Sequence, residues 1–190
     1  MRAFIAIELP DKIKNSLKSL QEQLKKAEAD VKWVTPENIH LTLKFLGEVD
    51  DEKLKRISMA IEEAACENNS YKIGIHSLGA FPKMDYLRVL WVGAEEGDAE
   101  TRKIAQNLEE KITKIGIPKE ARPFSSHITI GRIRSTLNRE RLVRELKTLQ
   151  ENFGKENLEF CASEITLFKS TLTPKGPLYE VLKKASLKTS

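Results

Sequence analysis

Two short segments carry residues that can catalyse a proton transfer. His40-Leu41-Thr42-Leu43 and His127-Ile128-Thr129-Ile130 share the pattern His-apolar-Thr-apolar, and the second follows the first by 87 residues. Side chains alternate faces along a strand, so the histidine and the threonine of each segment point one way while the apolar pair points into a core. Two imidazoles on opposite sides of a phosphate can act as general acid and general base, and the two hydroxyls can donate hydrogen bonds to its oxygens.

The repetition of the pattern is more informative than either copy. A single His-x-Thr on a strand is common, and most such histidines are structural. Here two of the three histidines in the chain occupy the pattern, and each copy is followed by a glycine and then a predicted helix. This indicates an internal repeat that brings both histidines to one cleft, where one can be neutral and the other protonated. His76 lacks the threonine and is predicted to be an ordinary exposed or hydrogen-bonded histidine.

The elements that must position these residues are a mixture of strands and helices. Helical spacing of apolar residues predicts a helix from Pro10-Asp11, a second capped by Asp50 or Asp51, and others over 98–115 and 137–152. A loop is expected at 36–38, and Gly79, Pro82 and Asp85 are expected to separate two strands. The order is not a regular βαβα alternation, so the sequence predicts an α+β fold with largely antiparallel sheets. The predicted strands cover residues 3–8, 31–34, 39–46, 71–78, 86–92, 126–130, 158–168 and 178–187.

The composition of the chain indicates a globular protein and argues against a membrane-spanning or metal-binding one. With 190 residues, 40% hydrophobic and 32% charged, the chain suits one domain or two small lobes sharing a core. No apolar run approaches the roughly 18 residues that span a bilayer, so we expect a soluble, cytoplasmic protein. The two cysteines form no CxxC pair and the histidines are far apart, which predicts no metal site. The net charge of +4 favours phosphate-bearing ligands only weakly, and nothing suggests an oligomer, so a monomer is expected.

The segments around both motifs resemble a known family. The chain is similar to the 2H phosphoesterase superfamily and, within it, to the RNA 2′,3′-cyclic phosphodiesterases, also called 2′–5′ RNA ligases. This resemblance implies a bilobal fold with pseudo-twofold symmetry, in which two antiparallel sheets line a central groove and helices lie outside, as one domain over residues 1–190. It also implies hydrolysis of RNA 2′,3′-cyclic phosphate ends to 2′-phosphates without a metal or other cofactor. The matching segments are 4–10, 33–47, 79–82, 122–132 and 176–179.

The resemblance also suggests a role for each site residue. His40 is expected to protonate the departing O3′ and His127 to take a proton from the attacking water, although two near-symmetric motifs leave the reverse assignment open. Thr42, Thr129 and Arg132 are expected to bind the phosphate. Simple strand alternation would place Gly131 on the face of His127 and Arg132 on the other, unless the strand bends. By the same alternation Lys44 shares the face of His40 and either reaches the groove or ends as a solvated lysine.

Two alternatives stay open from the sequence. An incoming RNA 5′-hydroxyl in place of water would make the same site a 2′–5′ RNA ligase, and a non-catalytic module could bind RNA ends. Paired acid–base residues argue against the second alternative. The substrate can be a tRNA fragment or a nucleotide. Phe4 and Phe45 are expected to flank the groove, and the basic stretch 132–144 fits a solvated helix face better than an RNA track. The other aromatic candidates for base stacking are expected in the core: Trp33, Phe81, Trp91 and Phe168.

Overall fold

A computed structural model of the chain describes residues 1–155 and 157–189. These residues form four α-helices, nine β-strands and a short 3-10 helix over Pro36–Asn38. The helices are α1 Asp11–Lys25, α2 Asp51–Glu67, α3 Asp98–Thr113 and α4 Arg139–Phe153. The strands are β1 Arg2–Glu8, β2 Val31–Trp33, β3 His40–Glu48, β4 Tyr71–Lys83, β5 Tyr86–Glu96, β6 His127–Ile133, β7 Leu158–Ala162, β8 Glu164–Thr173 and β9 Gly176–Ser186.

The strands form two antiparallel sheets. Sheet A has the order β3-β1-β8-β9, and sheet B has the order β2-β6-β5-β4-β7. The helices α2 and α3 pack mainly against sheet A, whereas α1 and α4 pack against sheet B and each other. Strands β3 and β6 contact each other, so the two motif strands meet where the sheets meet. The predicted α+β class with two antiparallel sheets and outer helices is confirmed.

Each helix buries one apolar stripe. In α1 the buried residues include Ile13, Leu17 and Leu24, at the spacing that the sequence predicted. Asp50 caps α2, because its carboxylate accepts a hydrogen bond from the backbone N–H of Lys53 at 2.8 Å. None of the helices among the described residues is both long and apolar enough to cross a membrane.

The two halves of the chain repeat one another. Asp98 opens α3 87 residues after Asp11 opens α1, the same offset that separates His40 at the start of β3 from His127 at the start of β6. Sheet A takes β1 and β3 from the first half and β8 and β9 from the second, while sheet B takes strands from both halves. Neither half of the chain therefore completes a sheet alone.

Four predicted elements differ from the structure. The strands expected at 71–78 and 86–92 are longer and pair as one hairpin, so Gly79 and Pro82 lie within β4. The strand expected at 158–168 is two strands: β7 pairs with β4 in sheet B, and after Ser163 β8 pairs with β1 in sheet A. An apolar pattern cannot show that the chain changes sheets. Residues 36–38, predicted as a loop, form the 3-10 helix.

Candidate active site

The two motif histidines are held in the same way. His40 Nδ1 lies 2.6 Å from the carbonyl oxygen of Asn38, and His127 Nδ1 lies 2.9 Å from the carbonyl oxygen of Ser125. A carbonyl can only accept a hydrogen bond, so each Nδ1 carries the hydrogen and each Nε2 is left to exchange a proton. Both rings are half-buried at the first residue of their strands.

A β-bulge follows the first His-x-Thr segment. Consecutive residues of β1 pair with Thr42 and Lys44, so Leu43 is an extra residue in β3. A bulge of this kind reverses the alternation of faces beyond it. As a result Lys44 is buried, and Phe45, five residues after His40, is exposed on the histidine face. Phe45 therefore flanks the groove as predicted, and the expectation that Lys44 shares the face of His40 is wrong.

The same bulge occurs after the second segment. Consecutive residues of β5 pair with Thr129 and Gly131, so Ile130 is the extra residue in β6. Gly131 is buried and Arg132 is exposed, which returns Arg132 to the face that carries His127. The simple alternation that placed Gly131 on this face is wrong, and the bend that would bring Arg132 there is present.

Lys44 instead anchors the back of β3. Its side chain is 2% exposed, and its Nζ lies 2.8 Å from a carboxylate oxygen of Glu109 in α3. The same Nζ donates a hydrogen bond to the carbonyl oxygen of Pro118 at 3.0 Å, and Glu120 lies 3.7 Å away. Lys44 therefore ties the first motif strand to the segment that leads into the second.

A buried glutamine holds the second bulge. Gln21 of α1 is 2% exposed. Its Nε2 donates hydrogen bonds to the carbonyl oxygens of Val34, at 2.7 Å, and Ile130, at 2.8 Å. The backbone N–H of Val34 also donates to Ile130 O, at 3.1 Å. Gln21 is not among the residues predicted from the sequence, although a polar residue beside the apolar stripe of α1 is a signal that can identify it.

Aromatic rings enclose His40. Phe4 stacks on His40 with ring centroids 4.7 Å apart, and Tyr179 meets His40 edge-on at 5.5 Å. Phe168 stacks on Phe4 at 5.1 Å. Phe4, Ala6 and Phe168 form a small apolar cluster separate from the main core. Phe4 therefore flanks the groove as predicted, whereas Phe168 lies on the groove face and not in the main core. A cavity of about 240 Å³ adjoins this group.

A related pair of rings lies beside His127. Phe81 meets His127 edge-on at 5.1 Å and lies 5.1 Å from Trp91. The Trp91 indole lies over Gly79, where a Cβ atom would collide with the ring. Phe81 and Trp91 are thus on the groove face, contrary to expectation, while Trp33 packs against the main core as expected. Trp91 lies 87 residues after Phe4 and Phe81 lies 87 before Phe168, so the two ring pairs occupy equivalent places in the repeat.

The environment lowers the pKa of both histidines. Burial is the main cause for His40 and outweighs the opposing hydrogen bond to Asn38 O, and the charge of Lys14 lowers its pKa further. Burial is also the main cause of the lowered pKa of His127, and the charge of the Arg132 guanidinium lowers this pKa further. Burial raises the pKa of Tyr179 while the Arg132 charge opposes the increase. The Arg132 charge thus acts on His127 and also on Tyr179, a ring that contacts His40.

One group of possible metal ligands lies elsewhere on sheet B. Among the described residues, ligand atoms of His76, Glu96 and Glu159 lie within 4.8 Å of one another. Lys72 already neutralises this group, because its Nζ lies 2.9 Å from Glu96 and 3.4 Å from Glu159. His76 Nε2 is 4.0 Å from Glu96. The cluster is accounted for as an ion-pair network on the sheet surface.

Comparison with known proteins gives the class and then the family. The structure is similar to the crystal structure of TT0787 of Thermus thermophilus, with a TM-score of 0.81, 27% identity and full coverage of both chains. It is also similar to Escherichia coli LigT complexed with 3′-AMP, with a TM-score of 0.78, 25% identity and 98% and 97% coverage. The protein is thus a phosphoesterase of the 2H superfamily. A model of LigT-like phosphoesterases matches residues 7–91 and again 92–179, so the chain belongs to this family.

Curated relatives cover almost the whole chain. The RNA 2′,3′-cyclic phosphodiesterase of Methanocaldococcus jannaschii is 40% identical over 187 residues, which are 96% of this chain and 99% of that protein. The protein of the same name from Archaeoglobus fulgidus is 37% identical over 183 residues, 96% and 98% of the two chains. The resemblance inferred from the motifs is confirmed, and the two matched segments coincide with the two halves of the repeat.

Proposed function

We propose that this chain hydrolyses 2′,3′-cyclic phosphate ends of RNA to 2′-phosphates, with His40 and His127 as the acid–base pair. The observation that carries the proposal is that the two imidazoles are held alike. Each Nδ1 lies against the carbonyl oxygen two residues earlier, and neither Nε2 has a hydrogen-bond partner among residues 1–155 and 157–189. The names of the relatives at 37% and 40% identity support the same substrate class.

In the proposed reaction His127 Nε2 takes a proton from the water that attacks phosphorus. The new P–O bond forms as the P–O3′ bond breaks, and Nε2–H of His40 gives its proton to O3′. Thr42, Thr129 and Arg132 bind the phosphate oxygens. The Arg132 charge beside His127 favours the neutral imidazole that a base requires, and the Lys14 charge acts on His40 in the same direction, so the division of roles rests on the family resemblance. Solvent then returns both imidazoles to their starting states.

The proposal has further parts that follow the sequence analysis. The enzyme works without a metal or other cofactor, and it is a monomer in the cytoplasm. Its substrates are tRNA fragments or nucleotides that carry a 2′,3′-cyclic phosphate. Sedimentation tests the monomer. Activity after chelation tests the absence of a metal.

The test is incubation with an oligoribonucleotide that ends in a 2′,3′-cyclic phosphate, followed by phosphorus NMR of the product. A 2′-phosphate is expected. A 3′-phosphate would overturn the substrate orientation while leaving paired-histidine catalysis intact, and no turnover would overturn the function and favour a module that only binds RNA ends. Repeating the reaction with a 5′-hydroxyl RNA present shows whether a 2′–5′ linkage also forms.

A further inference from the structure

Two guanidinium groups cover one exposed tyrosine at the tip of the β4–β5 hairpin. The guanidinium carbons of Arg88 and Arg139 lie 5.3 and 5.2 Å from the centroid of the Tyr86 ring. Arg88 Nη2 also donates a hydrogen bond to the Tyr86 hydroxyl at 2.7 Å. The Tyr86 side chain is 41% exposed. We call these three residues the Tyr86 cluster.

The Tyr86 cluster continues the groove face of sheet B. Phe81, which contacts His127, lies just before a register shift in the hairpin that makes Arg88 an extra residue in β5. On the far side of this shift Leu87 is buried and Tyr86 is exposed, so Tyr86 lies on the face opposite the core. Lys83 pairs with Tyr86 across the hairpin, and Phe81 pairs with Val89. Val89 in turn pairs with Arg132 of β6. Tyr86 thus follows Arg132 along one face, a few residues farther from His127.

The cluster has cations without carboxylate partners. Within residues 1–155 and 157–189, none of Arg88, Arg139 and Arg132 has a carboxylate within 4.0 Å, whereas Arg141 in the same helix pairs with Glu28 at 2.7 Å. The Nε atom of Arg139 is buried and has no hydrogen-bond partner among these residues. The Arg88 hydrogen bond and the Arg88 and Arg139 charges lower the pKa of Tyr86. A guanidinium offers paired N–H donors that suit phosphate oxygens.

We propose that the Tyr86 cluster binds a phosphodiester of the RNA strand upstream of its cyclic end. This rests on the proposed function, and it makes a polynucleotide a better substrate than a nucleotide. A basic track is the usual surface for single-stranded nucleic acid, because its charges follow the backbone. Arg132 near the scissile phosphate and the cluster beyond it give two successive anion sites on one face. The basic stretch 132–144 thus contributes Arg139 to RNA binding, which the sequence did not predict.

The repeat shows that this feature belongs to one lobe. An offset of 87 residues relates Arg88 to Lys175 and Tyr86 to Thr173, near the β8–β9 turn, and Arg139 to Glu52. The other lobe therefore lacks the aromatic ring and has an acidic residue in place of one arginine. We infer that the RNA strand leaves the groove over sheet B. Lys175 is the matched control, since it is an exposed cation at the equivalent hairpin.

The experiment compares two substrates with the same cyclic end. One is a 2′,3′-cyclic mononucleotide and the other an oligoribonucleotide of about six nucleotides, a length typical of one single-strand site. The wild type should prefer the oligonucleotide. Arg88→Gln and Arg139→Gln should each lower kcat/KM for the oligonucleotide about tenfold through KM, as expected for a lost charge-assisted hydrogen bond. The mononucleotide should change less than about twofold, and Lys175→Gln should affect neither substrate, as is usual for a surface change.

Salt dependence and direct binding give independent tests. Each lost phosphate contact should reduce the slope of log kcat/KM against log salt by about 0.7 for the single strand. Anisotropy of a labelled oligonucleotide ending in a 2′-phosphate measures binding without turnover, and the Arg88→Gln/Arg139→Gln variant should bind it more weakly than Lys175→Gln does. Equal losses of kcat/KM on both substrates, or no loss of oligonucleotide binding, would refute the proposal that the Tyr86 cluster binds RNA. If the wild type and every variant bind the oligonucleotide as expected but turn over neither substrate, the proposed function is wrong while the Tyr86 cluster still binds RNA.

Discussion

Replacing Gln21 with Met tests whether the second bulge depends on a single side chain. Methionine is close to glutamine in length and fills the same buried space, but it cannot donate a hydrogen bond. In this variant Ile130 O still accepts a hydrogen bond from the Val34 N–H, at 3.1 Å. Val34 O loses the hydrogen bond that Gln21 Nε2 donates to it, at 2.7 Å. An unpaired buried carbonyl costs about 1–3 kcal/mol and the second lost bond about 1 kcal/mol. We expect a loss of about 2–4 kcal/mol, which lowers Tm by roughly 5–15 °C in a chain of this size.

The same substitution should change catalysis through Arg132. A relaxed bulge allows Arg132 to turn from the groove, which removes a positive charge from beside His127. The pKa of His127 should then rise, because that charge helps to lower it. Thermal melting measures the stability, and the pH dependence of kcat/KM on a cyclic mononucleotide measures the shift of the His127 limb to higher pH.

The control is Gln23→Met, an exposed glutamine two residues along the same helix, which should alter neither measurement. Gln21→Glu should be more damaging than Gln21→Met, because its carboxylate would face two carbonyl oxygens. A normal melting temperature for Gln21→Met would refute the hydrogen-bond reasoning. A lower Tm with an unchanged pH profile would refute the link from the bulge to Arg132.

Three further predictions concern the proposed site. His40→Ala and His127→Ala should each lower kcat about 10²–10⁴-fold, and their effects should not multiply in the double variant; equal damage from His76→Ala would contradict the assignment. Burial disfavours the charged imidazole and lowers the pKa of both His40 and His127 below 6.5, so kcat/KM should peak below pH 6.5. Arg132→Gln should move the limb that belongs to His127 to higher pH. A flat pH profile would contradict this reasoning. Lys44→Met should cost about 1–3 kcal/mol in chemical unfolding, because it leaves partly exposed carboxylates unpaired, and no change would show that the ion pair is unimportant.

The sequence is a good guide to the start of each motif strand and a poor guide to its second half. The period of two correctly aligns each histidine with its threonine, because no irregularity interrupts those residues. It fails after Leu43 and Ile130, where each strand gains an extra residue. The second bulge is held by a hydrogen bond from Gln21, 109 residues earlier in the chain. A contact at that separation leaves no local pattern, so the faces of Lys44 and Arg132 could not be predicted from spacing.

The aromatic residues show a second reason for error. In β1 the residues Phe4 and Ile5 are both buried although they point to opposite faces, because the groove face has its own apolar cluster. A strand that is apolar on both faces gives no sign of which face belongs to the core. The apolar pattern therefore predicts Phe168 in the core, and only the pairing of β8 with β1 places it beside His40.

A repeat that supplies two identical residues must also make them different, because the proposed reaction needs one acid and one base. The backbone makes the histidines alike: each Nδ1 is bound by the carbonyl two residues before it, so both present the same nitrogen. The bulges are alike as well, and each turns the fifth residue after the histidine onto the groove face. At that position one lobe has Phe45 and the other has Arg132. A guanidinium there disfavours protonation of its own histidine and attracts the phosphate, whereas a phenyl ring does neither. The two imidazoles therefore have unequal neighbours at one repeated position, and both neighbours reach the groove face because the same bulge exists in both halves.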